Sequence, residues 1–219
     1  MPQTKRKKRE KLFAIGFSFP TLSFPNEYFP YICAQQNLTM SDIAAELAKL
    51  HTLTGADYSR QVERIARLGN FHPVEGESGI FSTGSEGEGD YGNLLNAARK
   101  AVTHGYKVYI LPNPSGIRTP DFIFERKGTY RPYELKTITG RDSISNRLEE
   151  SIGQCNRVLI HLMVNYKASL LAFGVKHYFE QNKNAIEVLI FKGRKSISVS
   201  RELTQSKSFY GLFMKNYFK

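Results

Sequence analysis

The chain has 219 residues, 41% of them hydrophobic and 23% charged, which suits one medium domain or a compact domain with an accessory segment. Its 31 Lys and Arg against 20 Asp and Glu leave a formal net charge of +11, which favours polyanionic partners, nucleic acid ahead of an acidic membrane surface. The cysteines Cys33 and Cys155 have neither zinc-type spacing nor a disulfide framework and fit a reducing cytoplasm, and no apolar run approaches the ~20 residues that span a bilayer.

The first eleven residues are a basic tail that includes Lys5, Arg6, Lys7 and Lys8. Self-repulsion is expected to leave it without fixed structure until it meets an anion. No amphipathic helix adjoins it, so it reads as a nucleic-acid tether and not as a membrane anchor. The apolar run at 12–17 is short, is cut by Ser18 and Pro20, and lacks a small-residue cleavage site, which argues against a signal peptide and leaves delivery or secretion by another route open. Pro20, Pro25 and Pro30 then space out Phe19, Phe24, Tyr28, Phe29 and Tyr31, an extended pattern. Residues 39–53 read as a helix, with Ser41 as N-cap and Ile43, Ala44, Leu47 and Leu50 as its stripe. Residues 57–68 read as a second helix, with Val62, Ile65 and Leu68 inward and Arg60, Arg64 and Arg67 outward. Residues 1–75 are thus a basic tail plus a small helical accessory segment, and 76–90, rich in Gly, Ser and Glu, are an acidic linker.

The main domain is expected over 91–219. Residues 91–104 form the clearest helix, with Asp90 capping its start, Gly105 ending it and His104 placing a cation at its C-terminus. A strand at 107–111 stops at Pro112 and Pro114, and a hairpin follows over 119–138. If Lys127 and Gly128 make a two-residue loop, Arg126 faces Thr129 and Asp121 lies opposite Glu134. Period-two alternation then sets Lys136 on the face of Glu134, with Leu135 on the other. A helix at 143–156, strands at 158–164, 185–191 and 196–200, a helix at 168–181 and a packed aromatic tail at 209–218 complete the chain. The fold class is α/β: a mixed sheet with an α-β-β-β-α-β core, flanking helices and an N-terminal helical segment.

The centre of that core carries the chemistry. Two carboxylates facing each other across a hairpin destabilise it unless a cation lies between them. Hard oxygen ligands suit Mg²⁺ or Mn²⁺. Such an ion lowers the pKa of a bound water and steadies charge developing on a phosphodiester. Lys136 is placed to position that water or to hold a phosphate oxygen. The competing reading of Asp121, Glu134 and Lys136 is a solvated ion pair on a surface strand; the agreement of alternation with register favours a site. Arg118, just before the motif, is placed to grip a phosphate or to be an ordinary loop charge. Gln154 falls near Arg147 and Glu150 by helical spacing, as an active-site amide or an exposed one.

Pro120-Asp121 followed by Glu134-Leu135-Lys136, within that element order, resembles the PD-(D/E)XK nuclease superfamily, whose fold is restriction-endonuclease-like. Gly105 to Pro112, Thr119-Pro120-Asp121 and Tyr133 to Thr137 are similar to nuclease domains at the C-termini of contact-dependent growth inhibition toxins, many of which cut tRNA. Residues 143–159, with Gln154, extend the likeness to roughly 90–164. It implies a metal-dependent endonuclease in which Asp121 and Glu134 hold Mg²⁺ or Mn²⁺ and Lys136 and Gln154 are catalytic. It further implies RNA, tRNA above all, in preference to DNA, nucleic-acid contacts by Arg118 and Arg147, a bacterial or mobile-element origin, action in the cytoplasm, and an immunity protein as partner. The alternatives are a DNA endonuclease of a mobile element or defence system, and a non-catalytic nucleic-acid-binding or virion-associated module. One feature departs from the family pattern: the first core helix offers Asn93 and Asn96 where family members often place a Glu. Asp90, with Glu86 and Glu88 beside it, is the expected substitute in the metal shell.

Overall fold

Among the described residues, eight strands lie side by side in chain order: β1 (His72–Pro73), β2 (Ile80–Ser82), β3 (Lys107–Ile110), β4 (Phe122–Arg126), β5 (Thr129–Ile138), β6 (Arg157–Leu162), β7 (Glu187–Lys192) and β8 (Lys195–Ser200). The computed structural model describes residues 40–68, 70–84, 90–140 and 144–219, all within a single unit, Gln36–Lys219. The basic tail with Lys5, Arg6, Lys7 and Lys8, the aromatic run at 19–31, and Glu86 and Glu88 lie outside the described residues. The sheet is mixed: β3, β4 and β5 run antiparallel in turn, β5, β6 and β7 run parallel, and β8 returns antiparallel on β7.

The helices are α1 (Met40–Ala48), α2 (Gly55–Arg67), α3 (Tyr91–Thr103), α4 (Ile144–Glu149), α5 (Ala168–Gln181), α6 (Arg201–Gln205) and α7 (Phe209–Phe218). From α3 onward the order is α-β-β-β-α-β, as the sequence patterning predicts. Alternation along the strands splits the apolar residues between two faces. On one face Val108, Phe122, Tyr133, Leu135 and Leu159 pack beneath Ala97, Ala98 and Ala101 of α3. On the other, Tyr109, Leu111 and Ile123 meet Ile43, Leu47, Val62 and Ile65 of α1 and α2. Farther along that second face, Ile138, Val158, Ile160 and Val188 meet Leu148 of α4, Leu171 and Val175 of α5, and Phe213 of α7. Glu134 and Lys136 share the face of Ile138, the face that carries both helix groups.

Four details differ from the sequence reading. The helix at 39–53 begins at Met40, so Ser41 lies within its first turn and not at the N-cap. The stretch read as a linker at 76–90 contains β2, paired parallel with β3; Ile80 and Ser82 are buried there, and pairing supplies the strand that three residues alone do not signal. Elements from both sides of that stretch share one apolar cluster, so no break in the core coincides with it. The helix expected over 143–156 stops at Glu149; turns follow, with Ser151 Oγ donating to Leu148 O at 2.6 Å and Gly153 at φ +84°, a left-handed conformation that ends helices.

Two residue choices let this frame close. Gly174 in α5 faces α4, where a Cβ would lie 2.4 Å from Ile144 Cγ2, so the two helices approach as closely as glycine permits. Pro132 sits inside β5, but the parallel ladder to β6 begins only at Glu134, so its missing N–H removes no bond to β6.

Candidate active site

The site begins with a turn. Lys127 at φ +52° and Gly128 at φ +75° give the two positive values of a type I′ hairpin loop, whose twist matches the flanking strands. Gly128 N also donates to Glu125 Oε1 at 2.8 Å. This fixes the register from Arg126↔Thr129 to Phe122↔Tyr133, the pairing that the loop length predicts. The regular ladder ends at Phe122. One residue earlier, Asp121 N donates to Tyr133 O at 3.0 Å, one step off register, while Leu111 N donates to Asp121 O at 2.9 Å. The Asp121 carboxylate takes the place of a strand acceptor, with Oδ2 receiving Leu135 N at 2.7 Å. Backbone just after β3 and in β5 therefore holds the Asp121 main chain, and Leu135 N of β5 sets the direction of its side chain.

Glu134 is only 5% exposed. Its Oε1 accepts from Lys136 Nζ at 3.0 Å. With the Gln154 amide turned to satisfy its neighbours, Gln154 Nε2 donates to the same Oε1 at 2.7 Å and to Glu150 O at 3.2 Å. Oε2 of Glu134 has no hydrogen-bond partner among the described residues. A buried carboxylate oxygen without a partner is costly. Burial, then the nearby Asp121 charge, pushes the Glu134 carboxyl up from the ordinary carboxylate range, with Lys136 opposing. Asp121 is pushed up as well, mainly by burial, with the Leu135 N–H and Lys136 opposing and Asp90 adding to the rise. Lys136 is the cation beside both carboxyls, and burial outweighs it at each.

These groups line a cavity of about 500 Å³ together with Asp90, Tyr91, Asn93, Asn113, Thr137 and Arg147. The donor set fits a hard divalent cation: two anionic carboxylates, one with an unpartnered buried oxygen, and room for waters that Mg²⁺ retains. Asp90 occupies the N-cap position of α3 without a side-chain cap bond, its carboxylate instead accepting from the Asn93 amide. No group of three His, Cys, Asp or Glu side chains able to hold a metal together occurs among the described residues, so Asp90 stands apart from the Asp121–Glu134 pair.

The structure brings Asp121, Glu134, Lys136 and Gln154 together, although Gln154 reaches the site from the turn after α4 and not from a helix. Arg147 of α4 lines the cavity and pairs with Glu150 at 3.1 Å. Arg118 lies away from that lining, with its guanidinium 4.0 Å from where a Gly153 Cβ would sit. Burial, then Lys100 and Arg126, push His104 below the ordinary histidine range, which disfavours the cation expected at this helix end, and its ring stacks on Phe191 with centroids 4.9 Å apart. Asn113, Thr137 and Tyr91 also form part of the cavity wall. Asn113 lies between two prolines, a mark of a fixed loop; Thr137 lies three residues beyond Glu134 on the opposite strand face.

No helix among the described residues is long and apolar enough to cross a membrane. Neither a protein-family model nor a curated protein matches the chain. Among solved structures, the chain is similar to the CdiA-CT/CdiI toxin and immunity complex from Burkholderia pseudomallei, at 12% identity and a TM-score of 0.36, over 59% of this chain and 94% of that one.

Proposed function

We propose that the protein is a metal-dependent endonuclease that hydrolyses phosphodiester bonds in RNA, with tRNA the favoured substrate. The observation that carries this reading is the pair of carboxylates, half-buried Asp121 and buried Glu134, set beside Lys136 in the lining of a cavity, both with raised pKa. Raised pKa values on adjacent acids in a cleft mark functional groups more often than structural ones. Asp121 and Glu134 would hold Mg²⁺ or Mn²⁺, and the bound ion would supply a water of lowered pKa and compensate negative charge on the phosphate. Lys136 holds a positive charge within reach of a phosphate oxygen and of a water beside Glu134. Gln154 fixes the Glu134 carboxylate through Oε1, and Oε2 has no hydrogen-bond partner among the described residues. Leu135 N–H holds Asp121 in the same way from the other strand. Arg147, at the rim, adds a cation for the flanking phosphates.

The net charge of +11 and the sequence likeness to toxin nuclease domains favour nucleic acid as substrate, with action in the cytoplasm of the cell that receives the protein and an immunity protein as its inhibitor. Incubation with total tRNA and with plasmid DNA, with and without Mg²⁺, tests the reading. Cleavage is expected with Mg²⁺ only, and Glu134→Ala or Lys136→Ala should reduce it at least a hundredfold with the fold retained. Persistence of cleavage in EDTA, or in both variants, overturns the mechanism.

A second reading rests on the missing third acid. With Asp90 held by Asn93, the chain would be a non-catalytic nucleic-acid-binding module on a nuclease-like core. Salt-sensitive RNA or DNA binding without Mg²⁺-dependent cleavage would establish it.

A further inference from the structure

A second recess is linked to the first through Gln154, which lines it and whose amide reaches Glu134 at 2.7 Å. It encloses about 400 Å³ between the α1–α2 connection, residues 152–156 and residues 182–184. The recess therefore starts one side chain away from the candidate metal ligands.

Its lining has a distinct chemistry. Leu53, Tyr58 and Ile152 give apolar surface, and Gln154, Asn156 and Asn184 give amides. No Lys, Arg, Asp or Glu lines it, in a chain of net charge +11. Asn182 is spent on the fold: its Nδ2 donates to Tyr178 OH at 3.0 Å and its Oδ1 accepts Asn184 N at 3.1 Å. The side chains of Asn156 and Asn184 have no hydrogen-bond partner among the described residues. A phosphate or carboxylate ligand would call for a cation in the wall, and a cationic ligand for an acid. A neutral, flat heterocycle with donors and acceptors on its edge meets both kinds of surface here: amides read base edges, and apolar or aromatic side chains cover base faces. Arg118 stands at the mouth. Its backbone O accepts from His51 Nε2, its guanidinium lies beside Gly153, and both His51 and Gly153 line the recess. The side chain makes no ion pair among the described residues, so its charge is available to a phosphate attached to a base held inside.

We propose that this recess receives the base of the nucleotide adjoining the phosphodiester at Asp121 and Glu134, and that Asn156 and Asn184 thereby impose a base preference on cleavage. This rests on the nuclease reading above, and the experiment separates the two. The full chain, with its Asn156 and Asn184 side-chain amides followed by NMR, is titrated with AMP, GMP, CMP and UMP. In parallel, the ends produced from total RNA in Mg²⁺ are sequenced for the wild type, for Asn156→Ala with Asn184→Ala, and for Asn184→Asp. One base is expected to shift the recess amides selectively and to be enriched about tenfold beside the cut, since a well-read base edge discriminates by that order. Enrichment should fall to within about twofold in the double alanine variant, and the favoured base should change in Asn184→Asp, which replaces a donor by an acceptor. Equal shifts for all four nucleotides, or none, overturn the proposal, as does a cut-site bias that both variants leave unchanged. Selective shifts without any cleavage uphold the recess and overturn the nuclease reading.

Discussion

Burial and the Asp121 carboxylate act in the same direction on Glu134, and Lys136 acts against them. With the ordinary value near 4.5 and the folded one pushed up to about 7, the group is protonated in both states below pH 4.5 and has no effect on stability there. As pH rises toward 7 the unfolded chain ionises first, so metal-free stability falls through that window and levels off above it. Glu134→Gln removes this slope. In EDTA its melting temperature should match the wild type near pH 4.5 and exceed it by several degrees at pH 7.5; the reverse order would refute the assignment. Mn²⁺ or Mg²⁺ competes with the same protons, so its stabilising effect on the wild type should be larger at pH 7.5 than at pH 5.5 in melting experiments. Asp121, Glu134 and Lys136 are legible in the sequence because alternation and loop length alone place them together. Gln154 is legible only as a candidate, since its contact depends on a turn that helical spacing does not describe. The separation of Asp90 is not legible, because it hangs on a side-chain bond to Asn93. The recess beside Gln154 is illegible for a similar reason: Tyr58, Asn156 and Asn184 come from three distant segments.

The elements around the site follow from local rules where those rules are strong. The Lys127–Gly128 loop has two positive φ values, and glycine alone adopts such a conformation without strain. Gly128→Val should lower stability by roughly 1–2 kcal/mol, whereas Lys127→Gly, which trades strain for unfolded-chain freedom, should stay within about 0.5 kcal/mol; urea denaturation reads both. Because the same loop fixes which residues face each other, Gly128→Val should also lower the cleavage proposed above. Helix α5 is legible despite Gly174, and the structure supplies the reason for that glycine: the contact with Ile144 leaves no room for a Cβ. Gly174→Ala should cost roughly 1–3 kcal/mol through overpacking, with α4 displaced and Arg147 carried with it. Helix α4 and strand β2 are where local reading fails. The first is cut short by Ser151 and Gly153, and the second exists through its pairing with β3.

At the scale of the molecule, the proposed function has the excess of positive charge and the cavity act on one ligand. If RNA makes about four phosphate contacts, raising salt from 50 to 200 mM should weaken binding by roughly fiftyfold, as counterion release along a single strand requires. Filter binding with a Glu134→Ala protein measures this without cleavage, and a salt-independent affinity would exclude an electrostatic footprint. The α/β architecture is legible as a whole, because the strand and helix patterns alternate from residue 91 onward. What patterning does not convey is that α1 and α2 share a core with the sheet, which follows from Tyr109, Leu111 and Ile123 facing away from α3. The strand order carries one more consequence. Every strand lies against its neighbour in sequence, so no strand waits for a distant segment before it can pair. Loop-closure entropy is met in small instalments, one hairpin or crossover at a time. Refolding of a fully unfolded chain can therefore proceed strand by strand, each pairing with the one before it.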